Sequence, residues 1–97
     1  MIRVMTADEL ATTTITVDGR LADDFVDLVE ICCIQAISKL KPVLLYLRDV
    51  SLIDERGRAL LRKLAEKGVG LKASGVYSSY IVDEIQSPRI HARHTPG

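Results

Sequence analysis

The sequence predicts an α/β domain: a small mixed β-sheet with packed helices, in the order β-β-α-β-α-β-α. Three observations predict it. Pro42 opens an unbroken apolar run, Val43-Leu44-Leu45-Tyr46-Leu47, which reads as a central strand covered on both faces. Asp54 then stands as an N-cap, Leu60, Leu61 and Leu64 follow at helical apolar spacing, and Gly68 is placed to cap the C-terminus. Upstream, Ile15 and Val17 alternate with Thr14 and Thr16, the period of two that marks a strand with one buried face.

In chain order, residues 2–5 read as a short edge strand and residues 6–11, which include Asp8 and Glu9, as a turn. Residues 12–17 form the second strand, ended by Asp18-Gly19. These strands pair as a hairpin whose loop is too long for a two-residue turn. Residues 22–40 are the longest helix, with Asp23 and Asp24 near its start, where the helix dipole favours acids. At roughly 100° per residue, Phe25, Leu28, Val29, Cys32, Ala36 and Leu40 share the core face, and Asp23, Asp27 and Glu30 lie opposite. Ile34 projects among those acids, with Ile31 and Ile37 close by, and the core of this domain does not account for it.

After the central strand, Val50, Leu52 and Ile53 lead to Asp54 and the second helix. Residues 68–73 form a further strand, with Val69, Leu71 and Ala73 alternating. Ser74-Gly75 turns the chain into a last helix over 76–86 that buries Ile81, Val82 and Ile85, and Pro88 stops it. The later strands are joined by helices and are therefore parallel. One domain covers 1–87. Residues 88–97, with Arg89, His91, Arg93 and His94, read as a flexible basic tail.

Composition narrows the function classes. With 97 residues there is room for one modest core. Lys plus Arg and Asp plus Glu number 13 each, so net charge argues for neither nucleic acid nor an anionic membrane as the main partner. No apolar run approaches the roughly 20 residues a spanning helix needs, and no signal peptide opens the chain. The expected location is the cytoplasm. Cys32 and Cys33, adjacent in the first helix, make no disulfide framework and fit a reducing compartment.

A set of short motifs then carries a resemblance. Tyr46-Leu47-Arg48 precedes Ile53-Asp54-Glu55-Arg56-Gly57, with Leu60 and Leu61 beyond. Val17-Asp18-Gly19-Arg20-Leu21 leads into the first helix, and Gly68-Val69-Gly70-Leu71 with Ser74-Gly75 closes the series. In order and spacing these resemble a STAS domain, the family named for sulfate transporters and anti-sigma factor antagonists. The family pattern is a strand ending in Asp-Leu-Ser, a turn and helix reading Ile-Asp-Ser-Ser-Gly, and an "sGrLd" turn before the first helix. The resemblance covers roughly residues 2–86.

What it implies is a small sheet with packed helices that acts as a protein-binding module in signalling and transcription regulation. In the stand-alone bacterial members, a kinase that is also an anti-sigma factor phosphorylates the second serine of the turn. The unphosphorylated form binds that partner and frees the sigma factor. A dianionic phosphate at a helix N-terminus changes charge and shape at a docking face, so the device is physically sensible. Here the phosphoacceptor position is Arg56, its neighbour is Glu55, and Tyr46 replaces the strand aspartate, while Asp54 is retained. Phosphorylation at that position is excluded, and a module locked in one state is the expectation.

Asp54, Glu55, Arg56, Arg58 and Arg62 are the candidate partner-binding residues, against the simpler reading of an N-cap followed by a solvated helix face. Arg58, Arg62, Lys63 and Lys67 make the outer face of that helix basic, with Glu55 and Glu66 interleaved as i,i+4 partners. No aromatic residues accompany the basic ones to stack nucleobases. Ile31, Ile34 and Ile37 mark a second surface, for another protein or a second copy of the chain. Gly57 faces the sheet, where close helix-to-strand approach explains it, and Tyr46 reads as a strand residue with its hydroxyl at the sheet edge. Ser51, Ser78 and Ser79 are hydroxyls that nothing in the sequence distinguishes. His91 and His94 have a metal-compatible spacing but no third ligand nearby, so no metal is expected.

No phosphate loop, paired-carboxylate site or nucleophile-base constellation emerges, and neither an enzyme nor a cofactor is expected. The leading expectation is an interaction module, with a kinase-like anti-sigma factor among its candidate partners. The alternatives are a homodimer through the isoleucine surface, and a small-ligand or nucleotide-binding domain, a function reported for some STAS relatives.

Overall fold

Alternation of side chains decides which face of the sheet is covered. In the computed structural model, which describes residues 1–86, Thr13, Ile15 and Val17 point to the same face as Val43, Leu45, Leu47 and Leu71, and all are buried. Thr14, Thr16, Leu44 and Tyr46 point to the other face and are only half-buried. The elements are β1 (Ile2–Asp8), β2 (Thr13–Leu21), α1 (Asp24–Ile37), β3 (Val43–Ile53), α2 (Glu55–Glu66), β4 (Gly70–Ala73) and α3 (Val76–Gln86). They build one four-stranded sheet in the order β1-β2-β3-β4. β1 pairs antiparallel with β2, and β2, β3 and β4 run parallel. The predicted α/β class, the element order and the mixed sheet are all present.

The expectation of a central strand covered on both faces is corrected. The crossovers β2-α1-β3 and β3-α2-β4 advance in the same direction along the sheet. Right-handed connections therefore place both helices on one side. α1 lies against β2 and β3, α2 against β3 and β4, and α3 against β4 and β3. Among the described residues the opposite side stays open. There Tyr46 lies within the sheet beneath Lys72, whose Nζ is 5.6 Å from the ring centroid, a cation–π contact rather than an edge hydroxyl.

Two strands outrun their sequence-based limits. β1 continues to Asp8, because Asp8 is the anchor of the lower loops. It accepts from Thr13 Oγ1 at 3.0 Å and pairs with Lys39 and Lys41. The residues read as a turn are therefore half strand, and only Glu9 to Thr12 closes the hairpin, with Glu9 N donating to Thr12 O. β3 carries on past the polar Arg48 and Asp49 to Ile53. Register shifts between Val17 and Asp18 and between Gly19 and Arg20 allow it to stay paired with β2 along that length.

α3 explains how that long strand is tolerated. β4 pairs with Leu44 to Leu47 of β3, and among the described residues the edge of β3 beyond Leu47 has no strand neighbour on that side. Hydroxyls at the start of α3 take its place. Ser74 Oγ donates to Arg48 O at 2.5 Å, and the buried Ser78 donates to Val50 O at 3.3 Å. Tyr77 OH accepts from Ile53 N at 2.9 Å and donates to Ile53 O at 3.3 Å. Ser78 is thereby distinguished from Ser51 and Ser79: it is a core hydroxyl. Ile81 and Val82 complete the buried face of α3, with Ile85 half-buried at its margin.

α1 is rotated from its sequence-based orientation by roughly half of one 100° step. Its core face is Val26, Val29, Cys33 and Ala36. Phe25 and Cys32 are half-buried, Leu28 is exposed, and Leu40 lies beyond the helix in an exposed loop at φ 63. The helix is apolar nearly all round, so periodicity alone fits two neighbouring stripes. Packing on the sheet selects between them. Gly68, at φ 94, sits just past the C-cap of α2 as predicted. The expected tail, its Pro88 stop and its two histidines lie outside the described residues.

Candidate functional site

The site is built on the start of α2. Asp54 adopts the extended backbone of an N-cap, and its Oδ1 accepts from Gly57 N at 2.8 Å. Its other oxygen accepts from Asp23 N at 2.9 Å, and Asp54 N donates to Leu21 O. One carboxylate therefore ties together the end of β2, the entry to α1 and the first turn of α2. Asp23 itself sits at φ 54 and ψ −134, a positive-φ conformation outside the left-handed helical region and strained for a residue with a Cβ. The amides of Asp23 and Gly57 hold the Asp54 carboxyl below its ordinary range.

Gly57 follows from the same closeness. A Cβ there would lie 2.9 Å from Ile53 Cγ2 and nearer still to the carbonyl oxygen of Leu21. Leu60, Leu61 and Leu64 bury the rest of that helix face. The sequence-predicted cap, close approach and apolar face of α2 are all present.

Arg56 reaches back across this junction. Its Nη1 donates to Asp23 O at 3.0 Å and its Nη2 to Asp27 Oδ1 at 3.1 Å, while the side chain remains 53% exposed. Lys63 meets Glu30 at 2.6 Å two turns further on. These pairs bridge α1 and α2 over a groove of about 230 Å³. Arg58 points the other way and meets Glu84 of α3 at 3.2 Å. Arg58 and Arg62 both line a wider groove between α2 and α3, of about 650 Å³, whose floor includes Val69 and Ile85. Glu55 is exposed at the helix start.

The structure thus gathers Asp54, Glu55 and Arg56 at one junction, and sends Arg58 and Arg62 to the groove on the other side of α2. The basic outer face is less free than its sequence suggests. Its ion pairs run between helices, to Asp27, Glu30 and Glu84, rather than to Glu55 and Glu66 along the same helix. Arg62 and Lys67 make no ion pair among the described residues. Asp23 and Asp27 are parts of the junction that the sequence placed on the polar face of the first helix without linking them to position 56. Only the fold brings residues 29 and 33 positions apart into contact.

On α1, Ile31 and Ile34 are exposed as expected, whereas Ile37 is half-buried against the core. Leu28 takes its place on the outer surface. Cys33 is fully buried, and burial pushes its thiol up to about 12, the state of an inert core residue. Among the described residues no group of three or more His, Cys, Asp or Glu is placed to hold a metal, and no helix is long and apolar enough to cross a membrane.

Three aspartates make stability depend on acid. Lys41 first, then Thr13 and Lys39, lower Asp8 to about 2 from the ordinary 3.8. Arg48 lowers Asp18, and the two backbone amides lower Asp54. Each folded-state value lies below the unfolded one. Their contributions are therefore complete above the ordinary carboxylate range; that of Asp8 is lost as pH falls from about 4 to about 2, and those of Asp18 and Asp54 are lost as pH falls below the ordinary range. Urea midpoints measured down that range should fall steadily, and Asp54→Asn should flatten part of the slope. An Asp54→Asn slope equal to wild type would show that the Asp54 carboxylate does not hold the amides of Asp23 and Gly57.

Protein-family models and curated proteins were both compared with the chain, and none matches it.

Proposed function

We propose that this chain is a non-enzymatic protein-interaction module of the STAS type, docking through the turn formed by residues 54–58 and the adjoining face of α2. The observation that carries this reading is Arg56. At the position where the resembling family has its phosphoacceptor serine, this chain has a guanidinium that fastens the first turn of α2 to the entry of α1. A hydroxyl there is a switch. An arginine bonded to Asp23 and Asp27 holds the turn in one shape and leaves a half-exposed positive group on it.

Docking needs a rigid, exposed and chemically distinctive element, and this junction supplies one. Asp54 anchors it from below, Glu55 and Arg56 stand at its surface, and Arg58 and Arg62 extend the same helix toward α3. The partner is another protein, and the resemblance points first to a kinase-like anti-sigma factor. Binding without phosphoryl control would make the module a constant competitor for that partner rather than a regulated one.

The test is affinity capture with wild type and with Arg56→Asp/Arg58→Asp, both confirmed folded by circular dichroism. Partners retained by wild type should be lost from the variant. Full retention of every partner by the folded variant would refute docking through this turn.

A further inference from the structure

We propose that the outward ridge of α1 is a two-fold interface with a second copy of this chain, helix packed antiparallel on helix. Its apolar ridge is not part of the α2 turn and meets that junction only at Asp23, so the inference does not rest on the function proposed above.

The ridge consists of Leu28, Ile31 and Ile34, which are 45%, 55% and 47% exposed. Ile31 lies almost diametrically across the helix from the stripe of Val26, Val29, Cys33 and Ala36 that meets the sheet. The exposed face of a helix that packs on one side only is expected to be polar. Here it has three large aliphatic side chains in a row, and contiguous apolar surface of that kind marks contact with another molecule.

The arrangement is symmetric about Ile31. Leu28 and Ile34 lie three residues to either side of it, and Asp23 and Lys39 lie eight residues to either side. If two copies cross antiparallel with Ile31 on the axis, Ile31 meets Ile31, and Leu28 of each copy meets Ile34 of the other. The acidic entry of each helix then faces the basic exit of the other. A parallel pairing would set acid against acid.

The acids available for this are the ones the fold leaves without an ion pair, and the base is shared with Asp8. Asp27 and Glu30, on the side of α1 toward α2, are already paired with Arg56 and Lys63. The carboxylates of Asp23 and Asp24 make no ion pair among the described residues. Lys39 is 52% exposed and leans on Asp8 at 3.3 Å, an exposed pair that leaves its ammonium accessible. The chain's formal net charge is zero, so two copies do not repel each other at long range. An isologous interface requires a self-complementary patch, and this one is self-complementary in the order of its apolar residues and in the sign of its flanking charges.

A single pair of 14-residue helices covers less than the roughly 800 Å² per partner of a standard stable interface. The dimer is therefore weak, with a dissociation constant between about 10 μM and about 1 mM. Sedimentation equilibrium across that range tests it. Wild type should move from monomer toward dimer, and Ile31→Glu, which sets two carboxylates on the axis, should remain monomeric. Its position outside the core keeps the fold intact, which circular dichroism verifies.

Asp24→Lys and Lys39→Asp should each weaken association about tenfold, because every substitution acts twice in a two-fold dimer. The double variant should restore wild-type association. A wild type that is monomeric at about 1 mM, an Ile31→Glu that associates as well as wild type, or a double variant no tighter than the single ones would each overturn the proposal.

Discussion

Gly57→Ala should destabilise the protein by about 2 kcal/mol, and Gly57→Val by about 3 kcal/mol or more, measured by urea unfolding. The sign is the informative part. By intrinsic preference, alanine inside a helix is favoured over glycine by about 1 kcal/mol, so a helix that merely rested on the sheet would gain from the change. Here the added Cβ meets the Leu21 carbonyl oxygen and lies 2.9 Å from Ile53 Cγ2. The first obstacle is backbone and cannot rotate away. α2 would have to lift off the end of β2, weakening the bonds from Asp54 to Gly57 and Asp23 as it moved. Gly68 provides the contrast: a Cβ there meets nothing within 4 Å, and its φ of 94 alone opposes alanine. The loss there should be only about 1 kcal/mol. A Gly57→Ala protein as stable as wild type would mean that the helix does not approach the strand as closely as described.

Tyr77→Phe should cost about 1–2 kcal/mol while leaving the ring in place. The hydroxyl serves the backbone of Ile53, accepting from its N–H and donating to its carbonyl. Ile53 is buried, so its amide does not readily recover a partner from water. The loss also has a position. Ile53 immediately precedes Asp54, so loosening it should raise hydrogen exchange at Ile53 and through the first turn of α2 before the rest of the sheet is affected. Equal exchange in Tyr77→Phe and wild type would show that the tyrosine does not stitch that strand end.

These two substitutions also show how far the residues alone could be read. Gly57 was legible, because its helical angle relative to Leu61 and Leu64 placed it against the sheet. The capping role of Asp54 was legible too, since a cap acts on amides three residues away. Tyr77 was not. Its partner lies 24 positions earlier, and no local pattern marks a hydroxyl that stands in for a missing strand. The basic face of α2 was misjudged for a related reason. Spacing shows that Glu55 and Glu66 can reach their own helix's cations, but not that Asp27, Glu30 and Glu84 of flanking helices reach them first.

α1 shows the same division. Its existence, its acidic start and an unexplained isoleucine surface follow from short-range periodicity. Which of two adjacent stripes faces the core does not, because the helix is apolar on several sides and only its packing on the sheet selects Val26, Val29, Cys33 and Ala36. Leu28 and Ile37 exchange roles as a result.

By itself, then, the sequence determined the α/β class, the order of the elements, the cap and close approach of α2, and the absence of a hydroxyl at position 56. All of these depend on neighbours within a few residues or on residue identity alone. Only the tertiary structure decided that the described helices cover the sheet on one face, that Arg56 clasps the entry of α1, and that Leu28, Ile31 and Ile34 form the outer ridge. Those outcomes turn on the handedness of the crossovers and on contacts between residues distant in the chain, which no local pattern records.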